Sequence, residues 1–452
     1  MADIFPFRAW RYDPQKVGNL ELVITQPYDK ITPAMQERYY SLSPFNLARV
    51  IRGRTEPSDD EKNNVYRRAA AYFRDWMQQG VLLSDPAPAL YAYDQEYEVP
   101  GRKERKRRRG FIALGRIENY SAGVVFRHEQ TLSAPKVDRL ELLRQTRAHF
   151  GQIFMLYSDP SRQIERTLEA AARQVSAWRV VDEYGVTHLV WPLTDPPTIS
   201  KVVGLMRDKK LIIADGHHRY ETALNYRNEC RERVGPAGGG LDFEAPHERV
   251  MMTFVNMDSE GLTILPTHRL VSSRSAGPRF DFKTFRDAAA PLFDWYCYPT
   301  AADQAPDGLV QFHHDMARSG GQRPAVGVAV TGDPSLYLFL LKESADLAAL
   351  LPDTPALERQ LDVVILHKLL LERCLGLTPE SITAEQNVSY VREFDAGWEA
   401  VQSGGAQMCF FLNPVRIEQV RRIAFSGGVL PQKSTDFYPK LLSGLTIYRL
   451  DG

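Results

Sequence analysis

The stretch "LIIADGHHRYETAL", residues 211–224, constrains this chain more than any other. Leu211, Ile212, Ile213 and Ala214 form a brief apolar run without alternation, the pattern of a strand covered on both faces. Asp215 ends the run, Gly216 supplies the backbone freedom for a sharp turn, and Glu221 falls in the opening turn of a helix. A strand that turns straight into a helix leaves unpaired main-chain N–H groups at the positive end of the helix dipole. Such a turn is an anion pocket. His217, His218 and Arg219 add donors suited to phosphate oxygens. Asp215, at the mouth of the same pocket, suits a Mg²⁺ bound to those phosphates or orients a histidine. The competing reading of the same residues makes Asp215 a helix cap and pairs the histidines with carboxylates in the core.

The neighbouring segments read as mixed α/β. Residues 186–229 give strand, helix, strand and helix in close order, which marks an α/β unit. Residues 59–80 have helical apolar spacing, and residues 20–25 read as a short strand stopped by Pro27, followed by a loop carrying Tyr28 and Asp29. "LYAYDQEYEV" and "GFIALGRIENY" are expected to be strands joined by a basic loop. Between Arg102 and Arg109 that loop holds seven basic residues and one acid, Glu104, and a solvated hairpin tip is a better reading of it than a nucleic-acid site. His128, Glu129, Thr131 and Lys136 sit in a loop before a helical stretch, and "LTILPTHRLV" reads as a strand followed by a loop with Thr267, His268 and Arg269.

A chain of 452 residues is longer than one ordinary domain. The Ser, Arg, Ala, Gly and Pro-rich stretch "SSRSAGPR" places a boundary near residue 275. The expected arrangement is a catalytic domain over 1–275, with its core at about 185–275, and an α+β C-terminal domain over 276–452. Apolar residues make up 44% and charged residues 25%, a globular composition. Lysine plus arginine (56) equal aspartate plus glutamate (56), which argues against a surface built throughout for nucleic acid. Cys230, Cys297, Cys374 and Cys409 show no zinc or redox spacing, and no signal peptide or membrane-spanning run is visible, so a reduced, cytoplasmic protein is expected. Two further clusters are weak. "GGVLPQKST" lacks the spacing of a phosphate-binding loop, and His313 and His314, if on a strand, would face opposite ways and so make a poor metal site.

The blocks "QPYDKI", "SPFNLARVI", "HEQTLSAPKVDRLELL", "IFMLYSD", "ADGHHRYETA", "LPTHRLV" and "PQKSTDFYPKLLSGL" resemble those of the family called domain of unknown function 1015. The turn at Asp215–Arg219 is also similar to that of the ParB/sulfiredoxin superfamily, over about residues 185–275. That resemblance implies a ParB/sulfiredoxin-like nucleotide-binding core with N-terminal elaborations. Sulfiredoxins carry a nucleophilic cysteine where this chain has His217, and ParB proteins add a helix-turn-helix reader that is not discernible here. Free-serine kinases of the superfamily have the most similar turn.

The resemblance implies a Mg²⁺-dependent nucleotide enzyme, a phosphotransferase acting on a small hydroxylated metabolite, with free serine considered by analogy. ATP or ADP is the expected nucleotide, another base remaining open. Gly216, His217, His218 and Arg219 would cradle the phosphates, Asp215 would hold the metal, and His218 and Asp215 join the catalytic candidates. Asp29 and Glu129 are candidate bases. His128, Lys136, His268, Arg269 and Lys433 are candidate phosphate or substrate contacts, and Lys440 is a second lysine that the "PQKSTDFYPK" loop could bring to the ligand. In this picture the C-terminal domain closes the cleft. A different class of function fits the same pocket: a nucleotide-gated switch in which any hydrolysis only resets a conformation.

Overall fold

The computed structural model describes residues 2–129, 134–234, 242–272, 281–300, 307–383 and 387–451. The chain forms two compact units, one of Met1–Arg127, Thr131–Thr263 and Pro439–Gly452, the other of His128–Gln130 and Ile264–Tyr438. The boundary expected near residue 275 lies outside the described residues.

The first unit is built on a nine-stranded mixed sheet. Its strands run in the order Val125–Phe126, Leu211–Asp215, Ile153–Tyr157, Arg249–Asn256, Arg105–Arg116, Leu90–Glu98, Thr187–Leu193 and Trp178–Val181, and Ile4–Phe5 adds to Arg105–Arg116. Leu211–Asp215 is parallel to Val125–Phe126 and antiparallel to Ile153–Tyr157, which in turn is parallel to Arg249–Asn256. Ile153–Tyr157 is buried along its whole length, as continuous apolar runs covered on both faces should be. The helices Gln163–Ala172, Pro196–Met206 and His217–Val234 supply Ile164, Leu168, Val202, Met206, Tyr220 and Ala223 to the core. Asp195 starts the second of these, its carboxylate accepting the Thr198 N–H, with proline at the first helical positions.

The second unit has a six-stranded antiparallel sheet in the order Phe293–Pro299, Ser335–Leu341, Ala325–Val330, Met408–Leu412, His268–Val271 and Val388–Val391. Phe312, Met316, Leu338, Val401 and Phe411 lie in its core. Together the two units have the mixed α/β character expected from the sequence. Among the described residues no helix is long and apolar enough to cross a membrane.

Several local expectations are corrected. Residues 20–25 hold a 3₁₀ turn, Leu20–Leu22, because the Asn19 side chain accepts the Glu21 N–H and starts a helical turn where apolar spacing suggested a strand. Only the tip of the basic run, residues 100–104, is an exposed turn, as expected of a solvated hairpin; the rest lies in the strand Arg105–Arg116, where Arg107, Arg108 and Arg109 find partners. Arg107 and Arg109 both pair with Asp94, and Arg109 also reaches Glu169 at 2.6 Å. Arg108, only 2% exposed, donates to Gln95 and to the Pro439 carbonyl and lies over the Phe154 ring. His268 and Arg269 are in a strand, and His313 and His314 are in the helix Gly308–Gly320. The second unit also carries a short α-helix, Asp362–Ile365, continued by a π-helix, Leu366–Cys374.

Candidate functional site

The strand Leu211–Asp215 shifts register against Ile153–Tyr157 between Ile213 and Asp215, an irregularity that re-aims the last side chain of the strand. Gly216 follows with φ +89°, and the helix begins at once: the Tyr220 N–H donates to the Gly216 carbonyl at 2.9 Å. A Cβ at Gly216 would lie 3.0 Å from Arg219 Nε and 3.1 Å from Cζ and Nη2. Glycine is therefore required twice, for the left-handed turn and for the guanidinium folded over it.

Arg219 Nη2 donates to Asp215 Oδ2 at 2.7 Å, and Nη1 donates to the Gln152 carbonyl. Lys440 Nζ stands 3.4 Å from the other Asp215 oxygen. The lysine is itself positioned by its backbone, since the Lys440 carbonyl accepts from Gln95 Nε2 at 2.9 Å and the Pro439 carbonyl accepts from Arg108. Burial alone would raise the Asp215 carboxyl pKa, but Lys440, Arg219, Lys30 and His217 outweigh it and hold the group well below the usual carboxylate range. Burial likewise works against the Arg219 charge, and Asp215, Asp29 and Tyr28 reverse that. The fork that the sequence reading assigned to phosphate is thus engaged by protein groups. Arg219 organises the turn and keeps Asp215 ionised.

A 3₁₀ turn, Tyr28–Lys30, belongs to the same unit and acts on the same groups. The Arg139 guanidinium stacks 4.2 Å from the Tyr28 ring. Burial, then the Asp29 charge, pushes the Tyr28 phenol up to about 12 against the pull of Arg219 and Arg139, so it stays protonated. Asp29 is exposed, and among the described residues no hydrogen bond is made to its carboxylate. His217 is buried as the first residue of the helix and His218 is half-buried. The structure therefore gathers Asp29, Asp215, Gly216, His217, His218, Arg219 and Lys440 in the first unit, with Lys30 and Tyr28, which sequence reasoning had left without a role. Their only signal was their place beside Asp29 in "QPYDKI".

Five other candidates lie in the second unit. His128 is fully buried, its Nε2 2.8 Å from Thr435 Oγ1 and its ring edge-on to Phe437. Glu129 accepts the main-chain N–H of Lys433, whose φ of 57° is left-handed. Arg269 is also fully buried; it donates to the Thr267 carbonyl and, at 3.1 Å, to that of Lys433, and burial pushes its pKa down to about 10. The Lys433 side chain is exposed. His268 is a core histidine: its Nδ1 accepts the Leu412 N–H at 3.2 Å, its ring meets Phe411, and burial lowers its pKa to about 3. The Lys136 side chain and Thr131 lie outside the described residues. No group of three or more metal-ligating side chains occurs among the described residues.

A family model described as "Protein of unknown function (DUF1015)" matches residues 4–364. No curated protein matches the chain. Among solved structures, a conserved hypothetical protein from Pyrococcus furiosus is similar at 11% identity and TM-score 0.32, over 69% of this chain and 86% of that one. A free serine kinase in complex with AMP aligns at 11% identity and TM-score 0.33, over 71% and 88% of the two chains. SbnI with a C-terminal truncation, from Staphylococcus aureus, aligns at 9% identity and TM-score 0.33, over 74% and 85%.

Proposed function

This chain belongs to the family of proteins of unknown function DUF1015, and on that premise we propose that it is a nucleotide-binding, Mg²⁺-dependent phosphotransferase acting on a small hydroxylated metabolite. The observation that carries the reading is the turn itself: an ionised Asp215 between Arg219 and Lys440, at the start of a long helix whose first N–H groups are not used within it. Around this turn three cations, Arg219, Lys440 and Lys30, stand against two carboxylates, Asp215 and Asp29, which favours a polyanion.

In this reading the main-chain amides of His217, His218 and Arg219 take phosphate oxygens, helped by the field of Lys440 and Lys30. Asp215 fits a metal that arrives with the nucleotide, because Mg²⁺ is commonly held by one or two carboxylates plus phosphates. Its pairs with Arg219 and Lys440 use one position on each oxygen and leave others open. The metal, when bound, neutralises charge on the transferring phosphoryl group. Asp29, exposed and not hydrogen-bonded among the described residues, is the group suited to accept the acceptor's hydroxyl proton. Free serine is a candidate acceptor by the similarity of the Asp215–Arg219 turn to that of free-serine kinases.

The test is to incubate the protein with ATP or ADP, Mg²⁺ and a mixture of small hydroxylated metabolites and to search for a new phosphorylated compound by mass spectrometry. A product that requires both nucleotide and Mg²⁺ supports the proposal. Nucleotide binding without product under any acceptor supports a nucleotide-gated switch instead.

A further inference from the structure

Between the helix Gln163–Ala172 and one face of the large sheet lies a pocket of about 290 Å³. In the strand registers Asp94 stands opposite Arg109 and Ala92 opposite Trp191, so these side chains and that of Arg107 share one face and form the floor. The helix supplies a wall of Leu168, Glu169 and Ala172. The strand carrying Asp94 is four strand steps from the one ending at Asp215, roughly 19 Å at the usual spacing. The pocket is therefore no part of the Asp215 turn.

Asp94 is 5% exposed, yet only one of its oxygens is used. Its Oδ2 takes Arg107 Nε at 2.7 Å, Arg107 Nη2 at 2.5 Å and Arg109 Nε at 3.2 Å. Among the described residues its Oδ1 accepts no hydrogen bond, and that atom is not sealed from the surface. Arg109 Nη1 goes on to Glu169 at 2.6 Å, and Arg173 Nη2 reaches the other Glu169 oxygen at 3.1 Å. Nη1 of Arg107 and Nη2 of Arg109 make no hydrogen bond among the described residues. One acceptor and two donors, all on side chains fixed by ion pairs, are thus left for a bound molecule.

The charges decide what kind of molecule. Three arginines, Arg107, Arg109 and Arg173, stand against three carboxylates, Asp94, Glu165 and Glu169, so the lining has no net charge and gives a polyanion no advantage. An ammonium approaching Asp94 would meet two guanidinium groups already on that carboxylate. A hydroxyl meets no such repulsion.

We propose that this pocket binds a small neutral cyclic polyol, a monosaccharide in its ring form. One hydroxyl donates to Asp94 Oδ1 while its neighbour accepts from Arg107 or Arg109, which adjacent hydroxyls can do because each is both donor and acceptor. The apolar C–H face of the ring lies against Leu168, Ala172 and Trp191. Size agrees: a cavity of about 150 Å³ holds benzene, so 290 Å³ takes about twelve non-hydrogen atoms, as many as a hexose has. Binding here requires neither a nucleotide nor the phosphotransferase reading.

The full chain would be titrated with D-glucose, D-galactose, D-mannose, D-ribose and myo-inositol while NMR follows the Trp191 indole N–H and the Leu168 methyl groups. L-leucine and inorganic phosphate represent the zwitterionic and anionic alternatives. At least one polyol should shift both signals saturably, and L-leucine and phosphate should leave them in place. Ala172→Phe, which puts a ring into the pocket from a half-buried position at the helix end, should weaken that polyol at least tenfold. Asp94→Asn, which keeps the shape and removes the carboxylate, should weaken it by a similar factor. Unfolding midpoints identify a variant that has not folded, and the wild-type titration decides the matter without either. No saturable shift from any of these polyols would overturn the inference. So would L-leucine or phosphate binding in their place, or polyol shifts that persist undiminished in a folded Ala172→Phe protein.

Discussion

Arg219 reaches back to Asp215, Nη2 to Oδ2 at 2.7 Å, so the last residue of a buried strand and the third residue of the following helix are held as an ion pair across one glycine. Lys440 closes on the other carboxylate oxygen at 3.4 Å. The pairing fixes where the positive field of the turn points, and it comes from residues far apart in sequence.

Removing one of the two cations should be visible in stability and in its pH dependence. Asp215 has a folded pKa below its unfolded value of about 4, so its ion pairs stabilise the fold fully above that value and lose their effect as pH falls through the folded pKa. Lys440→Met should lower stability by about 1–3 kcal/mol at pH 7, and the gap to wild type should narrow in acid. Denaturant midpoints between pH 7 and pH 3 check this. A gap that stays constant across the range would mean that Lys440 supports the fold without the charge on Asp215.

Gly216→Ala combines a left-handed backbone with a Cβ 3.0 Å from Arg219 Nε. The expected loss is about 1–3 kcal/mol, read as a lower unfolding midpoint, together with weaker ADP binding by calorimetry. An alanine variant as stable as wild type would show that the turn is not held in this conformation.

The basic run separates structural from solvated charge. Arg108→Met should destabilise by about 2–3 kcal/mol, because it removes charged hydrogen bonds to Gln95 and the Pro439 carbonyl inside the core. Lys103→Ala, at the exposed hairpin, should change stability by less than about 0.5 kcal/mol. Thermal melts of the two variants test this, and equal effects would contradict the burial of Arg108.

What could be read from the sequence alone follows from how local each signal is. The strand, glycine turn and helix at 211–234 were legible because apolar run, Gly216 and helical spacing are adjacent in the chain. Arg108 was not, since a charge run carries no mark of which member turns inward; that depends on Gln95 and Pro439 lying beside it in space. The same holds for Arg219, whose donors are engaged by Asp215 four residues back and by the Gln152 carbonyl, a partner invisible to spacing. His268 was taken for a ligand contact because the strand His268–Val271 was read as a loop, and only its pairing with Met408–Leu412 shows the imidazole facing the core.

One buried histidine, His268, and two half-buried ones, His367 and His149, should make the protein acid-sensitive. Burial pushes His268 and His367 down to about 3 and His149 to about 4. Between these values and the unfolded value of about 6.5, the unfolded chain binds protons that the folded chain does not, so stability falls as pH drops. Each such group contributes up to about 1.4 kcal/mol per pH unit. His268→Gln should flatten the slope of unfolding free energy between pH 6 and pH 5 by about that amount. Denaturant titrations at the two pH values decide it, and an unchanged slope would mean that His268 is protonated in the fold.

The most direct test of the central claim is to titrate ADP with Mg²⁺ into ¹⁵N-labelled protein and follow the main-chain amides of Gly216, His217, His218 and Arg219. Saturable shifts at these amides, lost in Gly216→Ala, are the expected result. ADP binding that leaves all of them unmoved, or no binding at all, would contradict the account.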